Sequence, residues 1–307
     1  EDNIAYASSG IIRTIYLSSI EVNSANVLIS ENKITTQKNE NPSEQLGTIY
    51  GIYIHGKDAD NPLDSADIVN NEIITESDVY AYGIKASFVK NVTISNNTVK
   101  TESKNFASGI HPYSIFNSVI ENNKVTSKSD EIAYGIVLEG SMDYDTYDVY
   151  TSEENLVTSN IVDIESNFGW AIETFVGERN NITYNNITVT VNNGLGIGLT
   201  DRDSVVSYNN IVVNAKDLNA SATSFDYIDP YATGVKITNN NIKNNSELGD
   251  LGVTYDYMYD LMHENEIFLD AIVFYENSDE YLELFLRKRD VDDIENLSKY
   301  SDDKVLE

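Results

Sequence analysis

The chain has 307 residues, of which 50 are Asp or Glu and 20 are Lys or Arg, giving a formal net charge of −30. That excess repels nucleic-acid phosphates and anionic headgroups over most of the surface, and excludes nucleic acid as a partner. A hydrophobic content of 41%, a charged content of 23% and only 4 Pro describe a folded chain able to bury a core, in one elongated domain or two ordinary ones.

Cys is absent, so neither a disulfide framework nor a thiolate metal site exists. No apolar run reaches the roughly 18 residues of a membrane span, so direct membrane insertion is not expected. The chain opens on Glu1, which reads as a processed or excised piece.

Along the chain one phrase recurs: an aliphatic residue, two spacers, an Asn, one spacer and a second aliphatic residue. It is read at Ile29-Asn32-Ile34, Ile68-Asn71-Ile73, Ile94-Asn97-Val99, Ile120-Asn123-Val125 and Leu156-Ser159-Ile161. Four more copies follow at Ile182-Asn185-Ile187, Val206-Asn209-Ile211, Ile237-Asn240-Ile242 and Met262-Asn265-Ile267. Successive copies lie 39, 26, 26, 36, 26, 24, 31 and 25 residues apart, a unit of about 26 with three insertions. A second signpost precedes the Asn: Gly51-Ile52, Gly83-Ile84, Gly109-Ile110, Gly135-Ile136, Ala171-Ile172, Gly196-Ile197 and Gly252-Val253. Alternation such as that of Ile187, Val189 and Val191 has period 2, so the unit consists of short strands, which bury a core only when coil stacks on coil. A propeller blade needs about 40 residues and four strands, more than this unit supplies. The recurring Asn tolerates a left-handed bend, and its amide can bond to the equivalent Asn in the next coil. At about 4.8 Å per step, nine coils make a rod on the order of 40 Å long.

This pattern resembles the right-handed parallel β-helix family whose repeats occur in pectate-lyase-like and NosD-like proteins, over roughly residues 10 to 275. The expected fold class is therefore all-β: a single-stranded right-handed parallel β-helix of about nine coils, spanning 1–275. Residues 276–307 are expected to form a helical cap or linker. Ser278 would be an N-cap, with Leu282, Phe285 and Leu286 on one helical face and Val291, Ile294 and Leu297 in a second amphipathic stretch.

The three insertions are where binding residues are expected, since loops on a rigid scaffold carry function. All fall between signpost and Asn, and should leave one face of the rod. The first carries His55 to Asp60. The second carries Asp143, Tyr144, Asp145, Tyr147, Asp148 and Tyr150, and the third carries Tyr227, Asp229 and Tyr231. Tyr offers a flat apolar ring with a hydroxyl edge and Asp accepts hydrogen bonds, a pairing suited to a glycan or a protein interface. Asp143, Asp145 and Asp148 are also a candidate Ca²⁺ cluster, though without an EF-hand's Gly and distal Glu; no other cofactor is expected.

Two residues after the signpost an outward column reads Tyr53, Lys85, His111, Val137 and Glu173, and His111 joins the candidate ligand-binding residues. Glu139 lies two residues beyond Val137, about 8 Å from Glu173 by strand spacing and rise, which suits an inverting carboxylate pair. Asp201 and Asp203 form a second acidic pair, which a turn explains equally well. Polygalacturonases of the resembled family carry Asn-Thr-Asp, Asp-Asp, Gly-His-Gly and Arg-Ile-Lys on successive coils, and none stands here in that order. The nearest fragments are His55-Gly56 and Asp292-Asp293. Five Arg and a strongly negative chain oppose the polyanionic substrates of pectate lyases, and 3 His without Cys give few ligands for copper.

The whole-chain pattern also resembles the adhesin-like surface proteins of methanogenic archaea. That resemblance implies an extracellular, cell-surface module binding a glycan or protein through its Tyr/Asp loops. The alternatives are a polysaccharide hydrolase or lyase of the same fold and a passive spacer.

Overall fold

The fold is seen in a computed structural model, which describes residues 2–5, 12–18, 27–36, 47–142, 149–215, 221–225, 236–244, 253–254 and 281–285. Those residues form an all-β structure without a helix. No helix among them is long and apolar enough to cross a membrane.

The strands build three stacks, and within each stack every strand pairs in parallel with its counterpart one coil on. The first stack runs Ile12–Ser18, Thr48–His55, the start of Tyr80–Ser95, Phe106–Phe116, Ile132–Glu139 and the later parts of Ile161–Glu178 and Asn186–Arg202, then Ser221–Phe225 and Val253–Thr254. The second holds Val27–Ser30, Leu63–Val69, the end of Tyr80–Ser95, Val119–Glu121, Leu156–Thr158, Asn181–Thr183, Val205–Ser207 and the start of Lys236–Asn244. The third begins with Asp2–Ala5, Lys33–Thr36, Glu72–Ser77, Thr98–Ser103 and Lys124–Ser129, and continues into the early parts of Ile161–Glu178 and Asn186–Arg202 and then Asn210–Ala215. Successive turns of chain therefore lie on one another as a parallel β-helix.

The core is columnar. Ile52, Ile84, Ile110, Ile136, Ile172 and Ile197 descend one stack and Ile68, Ile94, Ile120, Val157, Ile182 and Val206 another, all without solvent exposure. Gly explains the signpost. A Cβ on Gly51 would lie 2.7 Å from the Gly83 carbonyl oxygen and 2.5 Å from Ile73 Cγ2, so a side chain there would separate the first stack from the third.

The repeated carboxamide forms the expected ladder inside the rod. Asn32, Asn71, Asn97, Asn123, Asn160, Asn185 and Asn209 each donate Nδ2 to the Oδ1 of the next Asn at 2.9–3.0 Å, ending at Asn240. Two details differ from expectation. The copy at Leu156-Ser159-Ile161 is out of register by one residue, because Asn160 carries the ladder and Ser159 is its turn neighbour. The left-handed backbone falls on the residue before each ladder Asn, with Asn70, Asn96, Asn122, Ser159, Tyr184, Tyr208 and Asn239 at φ 54–58°. The turn residue bends the chain, and the following Asn points inward to bond.

The helix expected over Leu282, Phe285 and Leu286 is corrected for the residues described: Tyr281–Phe285 is a strand, pairing antiparallel with Lys236–Asn244. The end of a solenoid leaves a row of unpaired backbone groups, and an added strand satisfies them where a helix cannot. Tyr281 and Phe285 are also of strand-favouring types. Val291, Ile294, Leu297, the copy at Asn265 and the boundary at 275/276 lie outside the described residues.

Candidate functional site: an aromatic face on the first stack

In the first stack the strand alternation slips at the signpost. Thr48–His55 has Gly51 and Ile52 both buried, so Tyr50 and Tyr53 face outward together although three residues apart. Parallel pairing repeats this in every coil and produces outward columns. In one column Tyr50 pairs with Tyr82, Tyr82 with Ser108, Ser108 with Tyr134 and Tyr134 with Trp170. Beside it lie Tyr53, Lys85 and His111 in register, with Val137 opposite Glu173. On the far side Tyr113 pairs with Glu139 and Glu139 with Phe175.

The rings touch along the rod. Tyr50 stacks on Tyr82 and Tyr134 on Trp170, with centroids 5.0 Å apart and interplanar angles of 13° and 18°. Where the column carries Ser108 instead of a ring, Phe106 bridges, 5.4 Å from Tyr82 and 5.3 Å from Tyr134. Near-parallel rings at 5.0 Å are farther apart than the ~3.5 Å of direct contact, so they are offset, like roof tiles, and each leaves an edge uncovered. Burial pushes the Tyr82 and Tyr134 phenols up, so both stay protonated, as donors as well as acceptors.

A polar cluster lies within this apolar surface. His111 is buried among Tyr82, Phe106 and Tyr134. Its Nε2 lies 2.9 Å from Glu139 Oε2 and its Nδ1 2.9 Å from Ser108 Oγ. An ionised carboxylate can only accept, so Nε2 carries the proton and Ser108 donates to Nδ1. Lys85 Nζ reaches across two coils to the same Oε2 at 3.2 Å and stands 5.5 Å from the centre of the Tyr82 ring. Burial lowers His111 to about 4, against the opposing hydrogen bond to Glu139, so the ring is neutral at physiological pH. Burial of Glu139 resists its ionisation, but the His111 bond and Lys85 outweigh it and hold the carboxyl at about 2. Burial lowers Lys85 as well, with Glu139 opposing.

The predicted residues fall into three groups. Glu139 and Glu173 occupy adjacent coils, offset by two residues as expected, but Glu139 turns toward Lys85 and His111 on the preceding coils. The second insertion leaves directly after Glu139 as a hairpin, in which Ser141–Met142 pairs antiparallel with Val149–Tyr150. Tyr150 folds back, its ring 6.3 Å from Phe88. Asp143, Tyr144, Asp145, Tyr147 and Asp148 lie outside the described residues, as do Tyr227, Asp229 and Tyr231. The strands flanking all three insertions show that each leaves the corner between the first and second stacks, beside the aromatic face. Among the described residues no group of three His, Asp or Glu could hold a metal ion.

Asp201 and Asp203 belong to the scaffold. Asp203 is a left-handed turn residue at φ 55°. Asp201 is fully buried, accepting from Ser204 Oγ at 2.6 Å and Asn180 Nδ2 at 3.1 Å, and burial raises its carboxyl above the ordinary value. It braces the end of a second internal ladder running Ser118, Asn155, Asn180 and Ser204, whose mixed residue types hide it in the sequence.

Sequence reasoning found Lys85 and His111 as a column but not Tyr50, Tyr82, Tyr134 and Trp170. The signal was present: each stands immediately before a Gly-Ile or Ala-Ile signpost.

No family model and no curated protein matches the chain. Among solved structures it is similar to a mutant tailspike protein of E. coli bacteriophage HK620 in complex with pentasaccharide. That likeness has 12% identity and a TM-score of 0.28, over 81% of this chain and 59% of that one.

Proposed function

We propose that the chain is an extracellular, adhesin-like module that binds a cell-surface glycan along the aromatic face, with the insertions forming one rim. The observation that carries this reading is the ring series from Tyr50 through Tyr82, Phe106 and Tyr134 to Trp170, continuous across successive coils and set around fixed hydrogen-bonding groups. Ring edges with hydroxyls give apolar contact and hydrogen bonding together, the mixture that a sugar's faces and hydroxyls demand. A linear ligand lying along the rod would meet an aromatic group at every step of about 4.8 Å.

Hydrolysis by Glu139 and Glu173 would require one of them to donate a proton. Glu139 is held ionised by Lys85 and His111, which removes it as the acid, and its carboxylate is drawn to those preceding coils rather than toward Glu173, which together favour binding over cleavage. The test is titration of the protein against a panel of soluble oligosaccharides, repeated with Tyr82→Ala and Trp170→Ala. Each substitution should weaken the best ligand roughly tenfold, equivalent to about 1.4 kcal/mol. Undiminished binding in both variants would refute the assignment to this face. Deleting residues 141–150 should weaken binding less, as expected of a rim.

A further inference from the structure

We infer that Glu139 sets the ligand class of the aromatic face, selecting sugars that carry a neutral hydroxymethyl group over those that carry a carboxylate. This rests on the glycan-binding reading above. Lys85 and His111 both engage Oε2 of Glu139, and Oε1 has no protein partner among the described residues. The side chain is 38% exposed, so this fixed acceptor is offered to the groove. An ionised carboxylate accepts hydrogen bonds from sugar hydroxyls and repels a second carboxylate.

Lys85 would be the natural anchor for a uronate, but it is committed to Glu139 and only 15% exposed. His111 is buried and uncharged above about pH 4, so it adds no positive charge. Glu173 stands on the next coil, opposite Val137. In the central columns Lys85 and Glu139 thus offset each other and leave no spare cation for an acidic sugar, in a molecule whose net negative charge already opposes one. Removing the Glu139 charge should free Lys85 and invert that preference.

The experiment uses matched hexasaccharides of gluco, galacto and manno configuration, each paired with its counterpart oxidised at C6 to the uronate. Affinities are measured by calorimetry for the wild-type protein, Glu139→Gln, Lys85→Met and Tyr82→Ala. The wild type should bind a neutral member at least tenfold more tightly than its uronate. Glu139→Gln should lose roughly tenfold on the neutral member, the value of one charge-assisted hydrogen bond, while its neutral-to-uronate ratio falls toward or below unity. Lys85→Met, which keeps the carboxylate, should retain or widen the neutral preference. Tyr82→Ala should weaken both members alike and leave the ratio unchanged.

A wild-type preference for the uronate would overturn the inference, as would an unchanged ratio in Glu139→Gln with its thermal midpoint preserved. If Glu139→Gln does not fold, a loss of neutral preference in Lys85→Met would overturn it equally. These outcomes leave the glycan reading intact. That reading fails separately, and this inference with it, if the wild type binds no member of any pair.

Discussion

Two vertical files of side chains run the length of this rod, and they differ in how strictly the fold dictates them. Inside, the carboxamide file uses Asn from Asn32 to Asn240 without substitution. Outside, the file that carries Tyr50, Tyr82, Ser108, Tyr134 and Trp170 continues to Leu195 and Ser221, so its residue type changes from coil to coil, and Phe106 of a neighbouring column fills in beside Ser108. A buried polar position must satisfy every donor and acceptor from the coils above and below, which one residue type does. An outward position reached by water carries no such demand, and Ser108, a buried polar member of this file, is satisfied by His111 Nδ1 rather than by its own column. Rings that persist there over successive coils are therefore not explained by coil stacking alone, and this difference separates the scaffold from the surface available to a ligand.

Breaking the inner file should have the largest effect. Asn97 accepts from both nitrogens of Asn71 and donates to Asn123 Oδ1 and the Ile68 carbonyl, at 2.8–3.0 Å. Asn97→Leu would leave several buried groups unpaired, at about 1–3 kcal/mol each and less than additively, so a total loss of about 4 kcal/mol is expected. Urea denaturation measures it. A loss below about 1 kcal/mol would show that the ladder decorates the stack without holding it.

Acid comes next, acting on the polar cluster of the outer face. In the unfolded chain His111 titrates near 6.5, whereas burial lowers it to about 4 in the fold. Between those values the unfolded state binds a proton that the folded state refuses. The His111 contribution is thus complete above about pH 6.5 and disappears as pH falls through 4, amounting to ~3 kcal/mol. Glu139, lowered from 4.5 to about 2, acts in the same direction over the lower window, with its effect reduced by solvent screening. Urea midpoints taken from pH ~7.5 down to ~4 should fall in the wild type and hold nearly level in His111→Phe over that range. Parallel profiles would place the acid sensitivity elsewhere.

A smaller effect separates two neighbours on one strand. Ile84 is fully buried and Tyr82 faces outward. Ile84→Ala should cost about 2–3 kcal/mol, the lower part of the range for a large-to-small core change, whereas Tyr82→Ala should cost about 1 kcal/mol and show mainly in ligand affinity. Equal stability losses would mean that the ring file is scaffold after all.

The same contrast explains what the sequence made legible. The Asn phrase and the Gly-Ile signpost could be read because the interior admits few alternatives: Gly51 has no room for a Cβ, and Asn97 has four bonds to make. The slip at Leu156-Ser159-Ile161 arose where alternating aliphatic residues satisfy the phrase in two registers, and only the interior bonds single out Asn160. The common corner of the insertions followed from spacing alone. The ring file is less legible, although Tyr50, Tyr82, Tyr134 and Trp170 each precede the signpost, because an outward column admits Ser108 and Leu195 as readily as a ring and so breaks the repeat. Ser108, His111 and Glu139 come from two coils, and nothing in their spacing announces that they share a hydrogen-bonded chain.

The smallest effect is expected at Asp201, and it bears on the rule itself. This residue stands beside the end of the second internal ladder, accepting from its last two members, Asn180 and Ser204, and burial raises its carboxyl above the ordinary value. At neutral pH the fold must therefore tolerate a buried charge or take up a proton, and either costs stability relative to a neutral side chain of the same shape. Asp201→Asn keeps an acceptor for Ser204 or Asn180 and adds a donor in place of the charge. We expect it to be neutral or to stabilise by up to about 1 kcal/mol, with the gain shrinking as pH falls and the wild-type carboxyl protonates. A clear destabilisation at neutral pH would mean that Asp201 is needed as an anion inside the rod, and that the second ladder does not follow the logic of the first.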